Sequence, residues 1–173
     1  MFKWLFGKGK DDDDGAADVG GTAEIIVIGR KVPGTPDEVF ARFVDRLNDW
    51  WPRDLTWAGD NLAVIGIEPT TNGKAYEKDK AGAVSVWGTV LTVKRPEHIV
   101  LAWQIKENRT PETSEATSSR VDIRFVPIDP ATTEVVVVHR DFPRHGEGWQ
   151  SYKAAMASKK GWPRLIEAFA KAT

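Results

Sequence analysis

Residues 83–106 read AVSVWGTVLTVKRPEHIVLAWQIK. Two apolar, β-branched runs flank Arg95-Pro96-Glu97-His98, which predicts two long antiparallel strands, 83–94 and 99–106, joined by a tight turn. With Lys94 opposite Ile99, Val90 falls opposite Trp103, and residues directly opposite share one face of a sheet. Val84, Val86, Gly88, Val90, Leu101, Trp103 and Ile105 then form the inner set, and Trp87 points outward. One bulge would reverse this, because a one-residue slip carries a side chain to the other face.

The same pattern recurs on both sides. Downstream, 117–126 alternates Val121, Ile123 and Phe125 with Asp122 and Arg124. Pro127-Ile128-Asp129-Pro130 then turns into a last strand, 133–140, where Val135, Val137 and His139 share a face. Upstream, strands at 62–68 and 74–78 flank the turn Thr70-Thr71-Asn72-Gly73, and Ile25-Ile26-Val27-Ile28 marks a strand within 23–32. Two segments are helical. Thr35, Pro36 and Glu38 form the start signal of a capping box, followed by Val39, Phe40, Phe43, Val44 and Leu47 at helical spacing and closed by Trp50-Trp51-Pro52. At the other end, Trp149, Tyr152, Met156, Leu165, Ile166 and Phe169 share one broad face over 149–171, where Pro163 either kinks one long helix or starts a second. Strand, helix, about six strands and a long helix make an α+β protein: a curved antiparallel sheet of six to seven strands covering its apolar face with the C-terminal helix.

Composition narrows the rest. The chain has 173 residues, suited to one domain, and no cysteine, which excludes disulfides, thiolate metal sites and a cysteine nucleophile. A net charge of −1 without a dense basic stripe gives no sign of a nucleic-acid partner. No apolar run reaches the roughly 20 residues of a transmembrane helix. Residues 1–22, with the aromatic-basic opening Met1-Phe2-Lys3-Trp4 and the acidic run Asp11–Asp14, read as a disordered N-terminal tail, and 23–173 as one domain. A cytoplasmic location is expected, as a monomer or weak homodimer.

Several quoted stretches together resemble a known family. Thr35-Pro36-Asp37-Glu38-Val39-Phe40, Trp50-Trp51-Pro52, Gly88-Thr89-Val90, Ile99-Val100-Leu101-Ala102-Trp103, the 133–139 strand ending in His139, and Gly161-Trp162-Pro163 occur in the order and spacing of the START-like, or SRPBCC, superfamily. Within it, the chain is similar to bacterial relatives of the C-terminal domain of the heat-shock-protein-90 ATPase activator. The resemblance implies a helix-grip fold with a cavity between sheet and long helix. It implies a hydrophobic small-molecule ligand, with a chaperone-adaptor role as the alternative and a cyclase- or hydrolase-like activity as a second alternative.

Parity and the resemblance together put Trp57, Val90, Trp103, Phe125, Val137, His139, Phe142 and Trp162 forward as ligand-binding residues. Trp57 belongs to the rim, Trp103 either lines or fills the cavity, and Phe142, Trp149 and Trp162 cover it from the helix side. His139, at the end of an apolar row, is either a polar handle or base or a histidine satisfied by a backbone carbonyl. A hydrolase-like reading would pair it with a carboxylate such as Glu77. No catalytic set, metal site or cofactor motif emerges. His98, His139 and His145 lack ligand-like spacing, Gly73-Lys74 continues as Ala75, and His139-Arg140-Asp141 has Gly146 where a kinase loop needs asparagine. The balance leans away from an enzyme.

Overall fold

The computed structural model describes residues 24–172. The expected tail at 1–22 lies outside the described residues. The seven strands are β1 (Ile26–Pro33), β2 (Leu62–Ile67), β3 (Lys74–Asp79), β4 (Val84–Lys94), β5 (His98–Trp103), β6 (Ser119–Asp129) and β7 (Thr132–Arg140). They form one antiparallel sheet in the order β1-β7-β6-β5-β4-β3-β2. The strands from β2 to β7 follow one another as a meander, and β1 closes the far side by pairing with β7. This is the expected α+β helix-grip architecture, with the sheet curled around the C-terminal helices.

Helix α1 (Pro36–Phe40) begins as its sequence predicts. The Thr35 side chain accepts from the Glu38 N–H, and the Glu38 carboxylate accepts from the Thr35 N–H, so two otherwise orphaned donors are satisfied. The expected single helix then loosens into a π-helical turn, Ala41–Asp45, and a 3-10 turn, Leu47–Asp49. The indole of Trp50 donates to the Phe43 carbonyl at 3.2 Å, the kind of side-chain insertion that interrupts a helical ladder. The apolar face survives the change: Val39, Phe40, Phe43, Val44 and Leu47 are all buried.

Two bulges alter the predicted parity of β4. Lys94 pairs with His98 rather than Ile99, and an irregularity at Leu91 brings Val90 opposite Leu101 and Gly88 opposite Trp103. Gly88, Val90, Leu101 and Trp103 therefore still share a face. The second bulge lies against β3, where Ala75 pairs with Gly88 but Tyr76 pairs with Val86, leaving Trp87 as the extra residue. Trp87 consequently turns inward and is only 3% exposed, whereas Val84 is 58% exposed and Val86 lies outside the core, opposite to expectation. Strand β5 also stops at Trp103 instead of reaching Lys106; Ile105 makes only an isolated bridge to Pro111. Strand β6 runs on through the expected turn to Asp129, bulging between Pro127 and Asp129.

The C-terminal segment is two helices, α2 (Trp149–Ala157) and α3 (Trp162–Lys171), with Pro163 in the first turn of α3. The break belongs to Gly161. A Cβ there would sit 2.1 Å from the Met156 carbonyl oxygen, so only glycine lets the chain double back this tightly. Helix α3 buries Trp162, Leu165, Ile166 and Phe169, each worth about 1.5–3 kcal/mol relative to an exposed side chain. Phe169 meets Phe43 and Trp50 at centroid distances of 4.8 and 5.2 Å, locking α3 to the segment after α1. No helix among the described residues is long and apolar enough to cross a membrane.

Replacing Gly161 with alanine is expected to lower the unfolding free energy by about 3 kcal/mol or more, since neither backbone atom in the clash can yield alone. A urea titration followed by tryptophan fluorescence measures it.

Candidate functional site

The inner face of the sheet carries an almost continuous aromatic column. Phe40 touches Phe125, Phe125 touches Phe43, and Phe43 touches Trp50, at 5.0, 5.8 and 4.7 Å between centroids. Trp50 passes to Trp51, Trp51 to Trp87, and Trp87 to Trp103, at 5.4, 5.4 and 5.8 Å. Trp103 then meets Trp162 of α3 at 5.4 Å and His139 of β7 at 5.5 Å. The tilted and edge-to-face geometries are those aromatic pairs prefer.

Six of the sequence-predicted residues, Val90, Trp103, Phe125, Val137, Phe142 and Trp162, come together in one buried cluster, and His139 packs against Trp103, Phe142 and Trp162 of it. Trp103 fills the space between sheet and α3. Trp57 lies apart. It is half-buried in the loop before β2 and lines a cleft of about 170 Å³ with Ala58, Glu77, Asp79, Ala83 and Ser85. A smaller cleft of about 60 Å³ lies between Arg42, Arg46 and the end of α3.

His139 is wholly buried and both ring nitrogens are occupied. The Trp162 indole donates to Nδ1 at 3.0 Å, so the ring proton sits on Nε2 and is donated to Ser119 Oγ at 2.7 Å. The Ser119 hydroxyl donates in turn to His145 Nε2 at 2.7 Å, and the Ser119 backbone N–H donates to the same nitrogen at 3.2 Å. The satisfying groups are thus side chains from β6 and α3, not the backbone carbonyl expected for an inert histidine. A second bond set runs alongside: Trp103 Nε1 donates to Tyr152 Oη at 2.8 Å, and that hydroxyl donates to the Ile105 carbonyl at 2.5 Å. Burial pushes His139 well below the usual histidine range, with the neighbouring His145 adding to the effect. Burial also lowers His145, against the opposing pull of Glu112. It raises Tyr152. Both histidines are therefore neutral in the folded protein near pH 7.

Parity missed Trp87, whose indole N–H is buried and has no acceptor among the described residues. It also left Ser119 unassigned, although Ser119 continues the Val121-Ile123-Phe125 row by one step, and Val121 pairs with His139. Tyr152 entered the sequence reading only as part of a helix face, and His145 only as an unpaired histidine. Glu77, named there as a carboxylate partner for His139, is 4% exposed; its two carboxylate oxygens accept from the Trp57 and Ala58 N–H groups at 3.0 and 2.6 Å. It lies in the cleft, not beside His139.

The two histidines make acid a denaturant of this network. Their proton affinity is lower folded than unfolded, so the unfolded chain takes up protons first as pH falls through 6.5, the ordinary histidine value. Stability is expected to hold at and above that pH and to decline between it and about pH 5, before carboxylates titrate. Urea midpoints at several pH values give the slope. His145→Gln should flatten it, and Trp162→Phe, which strands the His139 Nδ1 acceptor, should cost about 1–3 kcal/mol near pH 7.5.

The curated proteins contain no match. Among solved structures, an anthrahydroquino-γ-pyrone synthase is similar at 25% identity and a TM-score of 0.61, over 88% of this chain and 100% of that one. A protein from Arthrobacter aurescens matches at 18% identity and TM-score 0.61, over 90% of each chain. A self-sacrificing resistance protein, CalC, from Micromonospora echinospora matches at 21% identity and TM-score 0.59, over 86% of this chain and 93% of that one. The two latter likenesses are of fold. The family model described as Activator of Hsp90 ATPase homolog 1-like protein matches residues 33–173. With the seven-stranded sheet and its C-terminal grip, that span makes this chain a member of the Activator of Hsp90 ATPase homolog 1-like family, within the START-like superfamily.

Proposed function

We propose that the protein binds a planar, hydrophobic small molecule bearing a hydrogen-bond acceptor, seated on the inner face of β3 and β4. The observation that carries this is Trp87. A bulge turns its indole into the core, where the N–H is buried without a partner. Leaving such a donor unsatisfied costs about 1–3 kcal/mol, and bulges that re-aim a side chain are enriched beside active sites. A ligand carbonyl or ring oxygen would supply the missing acceptor, while Trp51 and Trp103 present aromatic surface on either side.

Access is through the cleft at Trp57. Ser85, in its wall, precedes Trp87 by two residues on β4, so the cleft adjoins the part of the strand that carries the indole. In this reading Trp57, Val90 and Trp103 shape the seat. Phe125, Val137, His139, Phe142 and Trp162 hold Trp103 in place from behind. The synthase similar at 25% identity is named for a fused aromatic, oxygen-bearing product, which is the ligand class this surface suits. Contact with a chaperone is the second reading, supported by the family description. It stands second because none of the seven tryptophans among the described residues stands fully exposed as an indole anchor for a partner.

Titration with 1,8-dihydroxyanthraquinone, followed by tryptophan quenching, is expected to saturate. Trp87→Phe, which keeps an aromatic ring at the position but loses the N–H donor, should weaken binding about threefold to tenfold, the worth of one neutral hydrogen bond. A non-saturating response in the wild-type chain would reject the proposal.

A further inference from the structure

The cleft that admits the ligand has a chemistry of its own. One wall is the Trp57 ring. Its floor is Glu77, a carboxylate almost wholly removed from solvent, and Asp79 and Ser85 stand at its sides. Buried carboxylates are ordinarily matched by a cation. Here none is supplied: among the described residues no lysine, arginine or histidine forms an ion pair with Glu77 or Asp79. The Trp57 and Ala58 N–H groups take one lone pair on each Glu77 oxygen, and a carboxylate has about four acceptor sites. The Ala83 N–H takes one on Asp79. Acceptor capacity therefore remains on both groups.

The Trp57 indole is held from the far side, where its N–H donates to the Arg109 carbonyl, so the ring is fixed by an atom that is not in the cleft wall. A fixed indole beside a buried carboxylate is the pairing that recognises organic cations, the ring through its quadrupole and the carboxylate through a charge-assisted hydrogen bond. The cleft volume of about 170 Å³ is ample for an ammonium group and its substituents, since one water needs only about 10–15 Å³ by the same measure. Separately, the Trp87 indole N–H, two residues along β4 from Ser85 of the cleft wall, is buried without a partner among the described residues, a second sign that a ligand belongs on this part of the sheet.

We infer that the ligand carries a positively charged amine, and that Trp57, Glu77 and Asp79 form the subsite for it at the mouth of the inner face. This rests on the planar-ligand reading above and sharpens it to an aromatic amine: ring system toward Trp87, ammonium in the cleft.

The test is a matched pair of probes, 2-naphthylmethylammonium and its neutral counterpart 2-naphthylmethanol, measured by isothermal titration calorimetry on the whole chain. The cation is expected to bind about tenfold or more tightly than the alcohol, equivalent to 1.4 kcal/mol. That preference should shrink as salt is raised. Glu77→Gln should bring the ratio close to one. Because Glu77 also ties down the loop, Asp79→Asn is the companion variant, expected to keep the wild-type melting temperature and lower the ratio by about half. Equal binding of the two probes overturns the amine subsite and leaves the planar-ligand reading standing. Binding of neither probe, together with no response to the anthraquinone, overturns both. A ratio unchanged in both variants overturns the assignment to these residues.

Discussion

A buried hydrogen bond between two aromatic side chains joins the last helix to the sheet. Trp162, the first residue of α3, gives its indole proton to His139, which faces inward near the end of β7. Everything else about the histidine follows from that gift. With Nδ1 committed as an acceptor, the remaining proton has one place to be, and Ser119 and His145 take their roles in turn. Such a chain is costly to build in a low-dielectric interior and costly to leave incomplete. It gives α3 one docking position, while the apolar residues of the helix supply the bulk of the adhesion; its open end is the buried Nδ1 of His145, which has no partner among the described residues.

Around this bond the interior is aromatic and dense. Trp103 stands between the sheet and α3, with its own N–H bonded to Tyr152 of α2. Both C-terminal helices are thus tied to the sheet by an indole hydrogen bond, one donated by the helix and one received by it. The fold leaves its polar surprises at the other end of the sheet, where β3 and β4 carry Glu77 and Trp87 on the inner face. Folds of this kind host many functions, so the chemistry has to be sought in such local departures and not in the architecture.

Much of the fold was legible because it is written locally. The Thr35–Glu38 capping box, the alternation in 121–125 and the apolar spacing of 39–47 each involve neighbours within a few residues. What escaped was long-range. The bulge at Trp87 depends on how β3 meets β4, and no alternation within β4 announces it, because Val84, Val86 and Val90 look equally fit for the inside. The break in the C-terminal helix was open from sequence since Pro163 suits both a kink and a start; the deciding contact, Gly161 against the Met156 carbonyl, exists only once the chain has turned. The site followed the same rule. His139 stood out by type and position, while Ser119 and His145 acquire meaning only through partners 20 and 26 residues apart in the chain.

The sheet order has a consequence for how the chain is made. Strand β1 pairs only with β7, and Ile26 waits for His139, more than a hundred residues further on. At a translation rate of about 5–20 residues per second, β1 leaves the ribosome roughly 6 to 20 seconds before its partner. During that interval an apolar run, Ile26-Val27-Ile28, has both edges open, while the β2–β6 meander can form hairpin by hairpin behind it. Among the described strands, the one synthesised first is thus the last to be sheltered, and the nascent chain carries a hazard of mispairing there until β7 arrives.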